Sequence, residues 1–268
     1  MSIKYYLGSI VSLPLLPILF LQGKKIRTNI PKLPEAREPD GYVKKNSSKI
    51  IEILCIGEST IAGVGVDFHK NGFIGALANT ISDTKVISVA WKVYAKSGYT
   101  VKMVREKIVP IIKENRTDLI IIGLGGNDAF LLHSPKVWIG EIEQLITKLQ
   151  VKFPKTPIYF TNMPPIKEFP AFTKSIKFVI GNLVELLGKH LYRRIKNKDN
   201  VYYNNEVITL KSWQKKYKLS GDISTFFSDG VHPSKLTYQL WGKDMANFIL
   251  KIKAFNHGFT RNHRTFSA

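Results

Sequence analysis

The sequence is short of cysteine, of acidic residues and of long apolar runs. Cys55 is the only cysteine among 268 residues, so no intrachain disulfide can form. It stands inside an apolar run, where a thiol packs as a small hydrophobe and stays unreactive. Asp and Glu number 20 against 40 Lys and Arg, a formal charge of +20. A surface of that sign suits anionic partners such as acidic phospholipid or nucleic acid, or is simply solvated, and assigns no activity. Metal and nucleotide signatures are missing as well. The six histidines show no ligand spacing, and H-E-x-x-H and the P-loop are absent. His69, His133, His190, His257 and His263 read as surface or structural residues. Gly123-Leu124-Gly125-Gly126 follows a strand pattern, but a dinucleotide loop needs glycine where Asp128 stands. No cofactor is expected.

The longest apolar run is Tyr5 to Leu21, at the short limit for a spanning helix and interrupted by Pro14 and Pro17. Lys4 precedes it; Lys24, Lys25, Arg27 and Lys32 follow it. A secretory signal has the opposite charge order and small residues at its cleavage site, which Leu21-Gln22-Gly23 lacks. The run reads as a retained anchor that spans the membrane or lies in its interface, with the downstream domain on the cytoplasmic side. Export and burial within the fold are the alternatives. Four units follow from this reading: an anchor or signal-like segment over 1–23, a basic linker over 24–49, a main domain over 50–254 and a basic tail over 255–268. About 210 residues suffice for one α/β domain with a sizeable core.

What the chain does have is a regular alternation of strand and helix patterns. Ile50 to Gly57 is a short apolar run stopped by glycine, which reads as a buried strand that delivers Ser59 at its carboxyl end. Further strands are expected at 85–93, 118–123, 156–161 and 199–203, with helices at 72–82, 101–111, 136–149, 176–191 and 234–254. This spacing implies βαβ units and a three-layer α/β/α sandwich around a parallel sheet of about five strands, a flavodoxin-like arrangement. In such sheets, ligands sit at the carboxyl ends of the strands. Ser59, Gly98 and Asn127 each follow a strand, and Asp229 and His232 precede the last helix. A nucleophile, a base, a group that orients the base and oxyanion donors are the parts acyl transfer needs. By itself, Ser59 reads first as a helix cap, and His232 could be structural.

Taken together, Gly57-Glu58-Ser59-Thr60, Gly98, Gly125-Gly126-Asn127-Asp128 and Asp229-Gly230-Val231-His232-Pro233 resemble the four blocks of the SGNH (GDSL-type) hydrolase superfamily, in the right order over about 50–254. The resemblance implies a serine esterase, lipase-like, with Ser59 as nucleophile, His232 as general base and Asp229 orienting it. It also implies an oxyanion hole from the Ser59 and Gly98 N–H groups and the Asn127 amide. The family carries Asp where this chain has Glu58, which puts the geometry of that loop in question; shaping the loop is the role expected of Glu58. There is no G-x-S-x-G around Ser59, so an α/β-hydrolase elbow is not supported. Phe130, Leu131, 163–165, 169–172, Phe226 and Phe227 are candidate pocket residues, with core packing as their ordinary role. The expected partners are a lipid-like or small acyl ester and water, together with a membrane surface through residues 5–21. Nucleic acid is not the expected partner. A carbohydrate O-acetylesterase is the alternative in the same class. A silent basic module that binds membrane surfaces or nucleic acid is the alternative of another class.

Overall fold

A computed structural model describes residues 3–220, 222–253 and 255. Six strands form one sheet: β1 (Asp40–Val43), β2 (Ile50–Gly57), β3 (Ser88–Ala95), β4 (Leu119–Gly123), β5 (Ile158–Phe160) and β6 (Val201–Tyr203). Their order is β1-β3-β2-β4-β5-β6. β2 to β6 run parallel, as the alternation requires, while β1 pairs antiparallel along the edge of β3. The helices are α1 (Ile3–Ser12), α2 (Leu16–Asn29), α3 (Phe73–Lys85), α4 (Val101–Met103, continued by further helical turns to Ile111), α5 (Gly126–Phe130), α6 (Pro135–Lys152), α7 (Lys174–Ile195), α8 (Leu210–Tyr217) and α9 (Lys235–Lys251).

The central strands are apolar along their whole length because helices cover both faces. In β2, Leu54 and Ile56 join the core under α6 and α7, where Trp138, Leu145 and Leu187 pack. Ile53 and Cys55 point the other way, into the core with Leu77 of α3, Trp213 of α8 and Met245 of α9. β4 divides in the same manner, Ile120 and Ile122 against Leu119 and Ile121. The result is the expected three-layer α/β/α sandwich, and burial pushes the Cys55 thiol up, as expected of an inert thiol.

One sequence expectation is corrected. Residues 24–49 are not a linker throughout: α2 runs on to Asn29, and Asp40–Val43 adds the edge strand. Gly41 makes that pairing possible, because a Cβ there would meet the Trp91 ring at 2.1 Å. As expected from Pro14 and Pro17, residues 5–21 are not one regular α-helix: the 3₁₀ turn Leu13–Leu15 interrupts them. Among the described residues no helix is long and apolar enough to cross a membrane. α8 was not expected. Its sequence, Leu210 to Tyr217, is mostly polar and buries only Leu210 and Trp213. Apart from Phe255, the basic tail at 255–268, with His257 and His263, lies outside the described residues.

Candidate active site

β2 runs out at Gly57, opposite Gly123 of β4. A Cβ at Gly57 would meet Ile61 at 2.4 Å and the Gly123 carbonyl at 2.5 Å, so glycine lets the chain leave the sheet against its neighbour. The Glu58 N–H donates to the Gly123 carbonyl (3.1 Å), and the Val64 N–H donates to the Ser59 carbonyl (3.1 Å). These bonds fix a tight turn on which Ser59 is half-buried.

Glu58 ties this turn to the loop after β4. Its Oε1 accepts from the Gly126 N–H (2.9 Å) and its Oε2 from the Asn127 N–H (3.0 Å). The Asn127 side chain in turn donates through Nδ2 to the Tyr99 carbonyl (3.0 Å), beside Gly98 in the loop after β3. That bond uses one of the two Nδ2 hydrogens and leaves the second for another acceptor. Gly98 has φ +82° on an exposed turn, a conformation glycine adopts without strain. Among the described residues, no main-chain acceptor is assigned to the N–H of Ser59 or of Gly98.

Asp128 adds a second tie. It is fully buried and accepts from the Val101 N–H (3.0 Å) and from His133 Nδ1 (3.0 Å). Burial raises its carboxyl in spite of these donors. Local sequence gave no signal for the Asp128–His133 pair, which exists only because Leu132 and His133 turn back over α5.

The fourth loop carries the acid–base pair. Asp229 Oδ1 accepts from the N–H groups of Val231 (2.9 Å) and His232 (2.7 Å), and Oδ2 takes a 2.7 Å contact from His232 Nδ1. Burial alone would raise the Asp229 carboxyl; the His232 imidazole and the two N–H groups outweigh it and hold the carboxyl below its ordinary value. With the proton held on Nδ1, Nε2 is the basic nitrogen. The helix that follows this loop, α9, is tied to the stretch after Ser59: the Tyr238 hydroxyl donates to the Val64 carbonyl (2.8 Å). A Cβ on Gly65 would meet the Pro233 carbonyl and Ser228 Oγ, both at 2.5 Å. Among the described residues Ser59 makes no side-chain hydrogen bond, to His232 or otherwise. Without a bound substrate such bonds are often long and tighten in the complex.

The expected pocket residues divide. Met163, Pro164, Pro165, Phe169 and Phe227 line an apolar cavity of about 50 Å³ beside Glu58 and Thr60. Phe172 and Phe226 pack into the core, whereas Phe130 and Leu131 are exposed. Met163, Pro164, Pro165 and Ile208 also line a larger cavity of about 490 Å³ against α7. Among the described residues no cluster could hold a metal ion.

Glu58 carries a consequence for stability. Burial pushes its carboxyl from an ordinary 4.5 up to about 7, against the two N–H donors and with the help of the Asp128 charge. The stability this group contributes below pH 4.5 is therefore lost as the pH rises through 7. Glu58→Gln does not titrate. The Tm difference between wild type and Glu58→Gln should shift in favour of the variant from pH 4.5 to 8, and a constant difference would show that Glu58 does not titrate in this range.

A serine and an asparagine on strand-end loops, with a D-x-x-H pair before the last helix of a three-layer α/β/α sandwich, define an SGNH-type hydrolase. Residues 55–240 match the family model described as GDSL-like Lipase/Acylhydrolase family, and the chain belongs to that family. Solved structures agree on the fold. A member of the lipolytic protein G-D-S-L family from Veillonella parvula is 19% identical, with a TM-score of 0.55 over 79% of this chain and 100% of that one. The lipase Lip_vut3 from a goat rumen metagenome is 20% identical, with 0.53 over 74% and 96%. A family 3 carbohydrate esterase from Clostridium thermocellum is 18% identical, with 0.54 over 78% and 98%. No curated relative matches the sequence.

Proposed function

We propose that the protein is a serine esterase that hydrolyses carboxylic esters through an acyl-enzyme intermediate. The observation that carries this reading is the Asp229–His232 pair at 2.7 Å, on the loop that leads into α9, whose Tyr238 bonds to Val64 five residues after Ser59. Ser59 Oγ attacks the ester carbonyl as His232 Nε2 takes its proton, and Asp229 stabilises the imidazolium. The Ser59 and Gly98 N–H groups and the second Asn127 Nδ2 hydrogen receive the oxyanion. The tetrahedral adduct collapses, His232 protonates the leaving alcohol, and water repeats the sequence on the acyl-enzyme.

The apolar lining by Met163, Phe169 and Phe227 supports a lipid-like or small acyl group. The cavity's small size, about 50 Å³, favours a second reading, a carbohydrate O-acetylesterase. Fluorophosphonate labelling of the full chain, with peptide mapping, should mark Ser59. Hydrolysis of p-nitrophenyl esters from acetyl to palmitoyl separates the two readings: a maximum at acetyl with a steep fall favours O-acetyl esters, and retained turnover of long chains favours lipid-like ones. No labelling and no turnover would favour a silent binding module on this scaffold.

A further inference from the structure

The N-terminal arm has two apolar faces, and the fold covers one of them. Leu15, Leu19 and Ile26, spaced four and seven residues apart, form one stripe packed on the core that α7 covers. Gln22, in the same stripe, is bound to Thr173 at the start of α7 through a 2.6 Å side-chain contact. A surface helix docked in this way ordinarily turns polar residues outward. Here the outer side carries Ile10, Leu13, Phe20 and Leu21, which are 60–73% exposed. Neither described helix of the arm is long and apolar enough to cross a bilayer.

Further exposed apolar side chains stand near the candidate active site. Phe130, three residues after Asn127, sets its ring edge against Phe172 at 5.4 Å, and Phe172 adjoins the Thr173 that holds Gln22. Leu131 is 61% exposed beside it, and Phe178 of α7 is exposed one turn after Lys174. Cations border this surface: Lys24 and Lys25 on α2 and Lys174 on α7 are exposed. A second copy of a chain with a charge of +20 would repel this face, whereas an anionic lipid surface complements it.

We infer that α1 and α2 form an interfacial arm whose outer face, with the Phe130–Leu131 rim, seats the enzyme on a bilayer of anionic lipid. The arm lies in the plane of the interface, apolar side chains in the acyl boundary and lysines at the headgroups. This inference does not depend on the catalytic reading, because partition is measured without turnover.

The test is sedimentation of the full chain with vesicles of phosphatidylcholine, with and without phosphatidylglycerol, for wild type, the Phe20→Glu/Leu21→Glu pair and the Lys24→Glu/Lys25→Glu pair. Wild type should partition about tenfold better onto the anionic vesicles, and less so as salt rises. The Phe20/Leu21 pair should lose about tenfold on both vesicle types, and the lysine pair should lose partition on the anionic vesicles alone. Unchanged Tm in both pairs shows that the fold is intact, since all four side chains point into solvent. Wild type that stays in the supernatant overturns the inference, as does a Phe20/Leu21 pair that sediments like wild type. Dimerisation through this face without vesicle binding assigns it to a second copy and overturns it as well.

Discussion

Ser59→Ala and His232→Ala are each expected to lower kcat for p-nitrophenyl acetate by about 10⁴- to 10⁶-fold, and the double variant by no more than either single. The expectation follows from how the two groups work. The serine hydroxyl is a poor nucleophile until a base removes its proton, and the imidazole has nothing to activate once the hydroxyl is gone. Losses at two independent sites would multiply; losses at one machine do not. Asp229→Asn leaves a side chain of the same shape but removes the charge that holds the proton on His232 Nδ1, at a cost of about 10⁴-fold. Asp229 also accepts two main-chain N–H groups through Oδ1, so the variant is to be compared at matched Tm. Multiplicative losses in the Ser59/His232 double variant would show that the two side chains do not act together, and would return Ser59 to a role as a turn residue.

Asn127→Ala should lower kcat by about 10²- to 10³-fold with little change in KM. The donor matters only where charge develops, so its removal acts on the transition state and hardly on substrate binding. The proposed role draws on the way the amide is held. Its backbone is pinned by Glu58 and its Nδ2 by the Tyr99 carbonyl, so no reorganisation is needed when the oxyanion forms. Asn127→Asp should be worse than alanine. It removes the same donor and adds a negative charge next to Asp128 and the forming oxyanion. Steady-state kinetics at one pH read both; a loss below about tenfold in the alanine variant would remove Asn127 from the oxyanion hole.

The departure from the family pattern at Glu58 is accommodated by geometry. Its carboxylate spans two adjacent N–H groups, at Gly126 and Asn127, and is closed off from water between the Ser59 turn and α5. The close approach is set from the other side too: a Cβ on Gly126 would meet Glu58 Oε1 at 2.9 Å. Glu58 therefore shapes the loop, as its position suggested. Its burial and the raised carboxyl were not legible, because they depend on Asp128 and on the β4 loop that folds over it.

The sequence by itself determined the layered α/β/α fold. Apolar runs of strand length that alternate with amphipathic helices have only one way to bury both faces of each strand. It also determined where the chemistry-bearing residues enter, because Gly57, Gly98 and Gly125 mark the ends of strands β2, β3 and β4. Tertiary structure alone decided the rest. Asp40–Val43 carries too little apolar pattern to announce a strand and becomes one because β3 offers an open edge. Leu15 and Leu19 read as anchor and Ile26 as linker until the core under α7 supplies a surface for all three, with a 3₁₀ turn at Leu13–Leu15 in the arm. Asp128 and His133 meet, and Tyr238 reaches Val64 across 174 positions of sequence, because contacts of that range are fixed by the packing of whole elements, which no local pattern encodes.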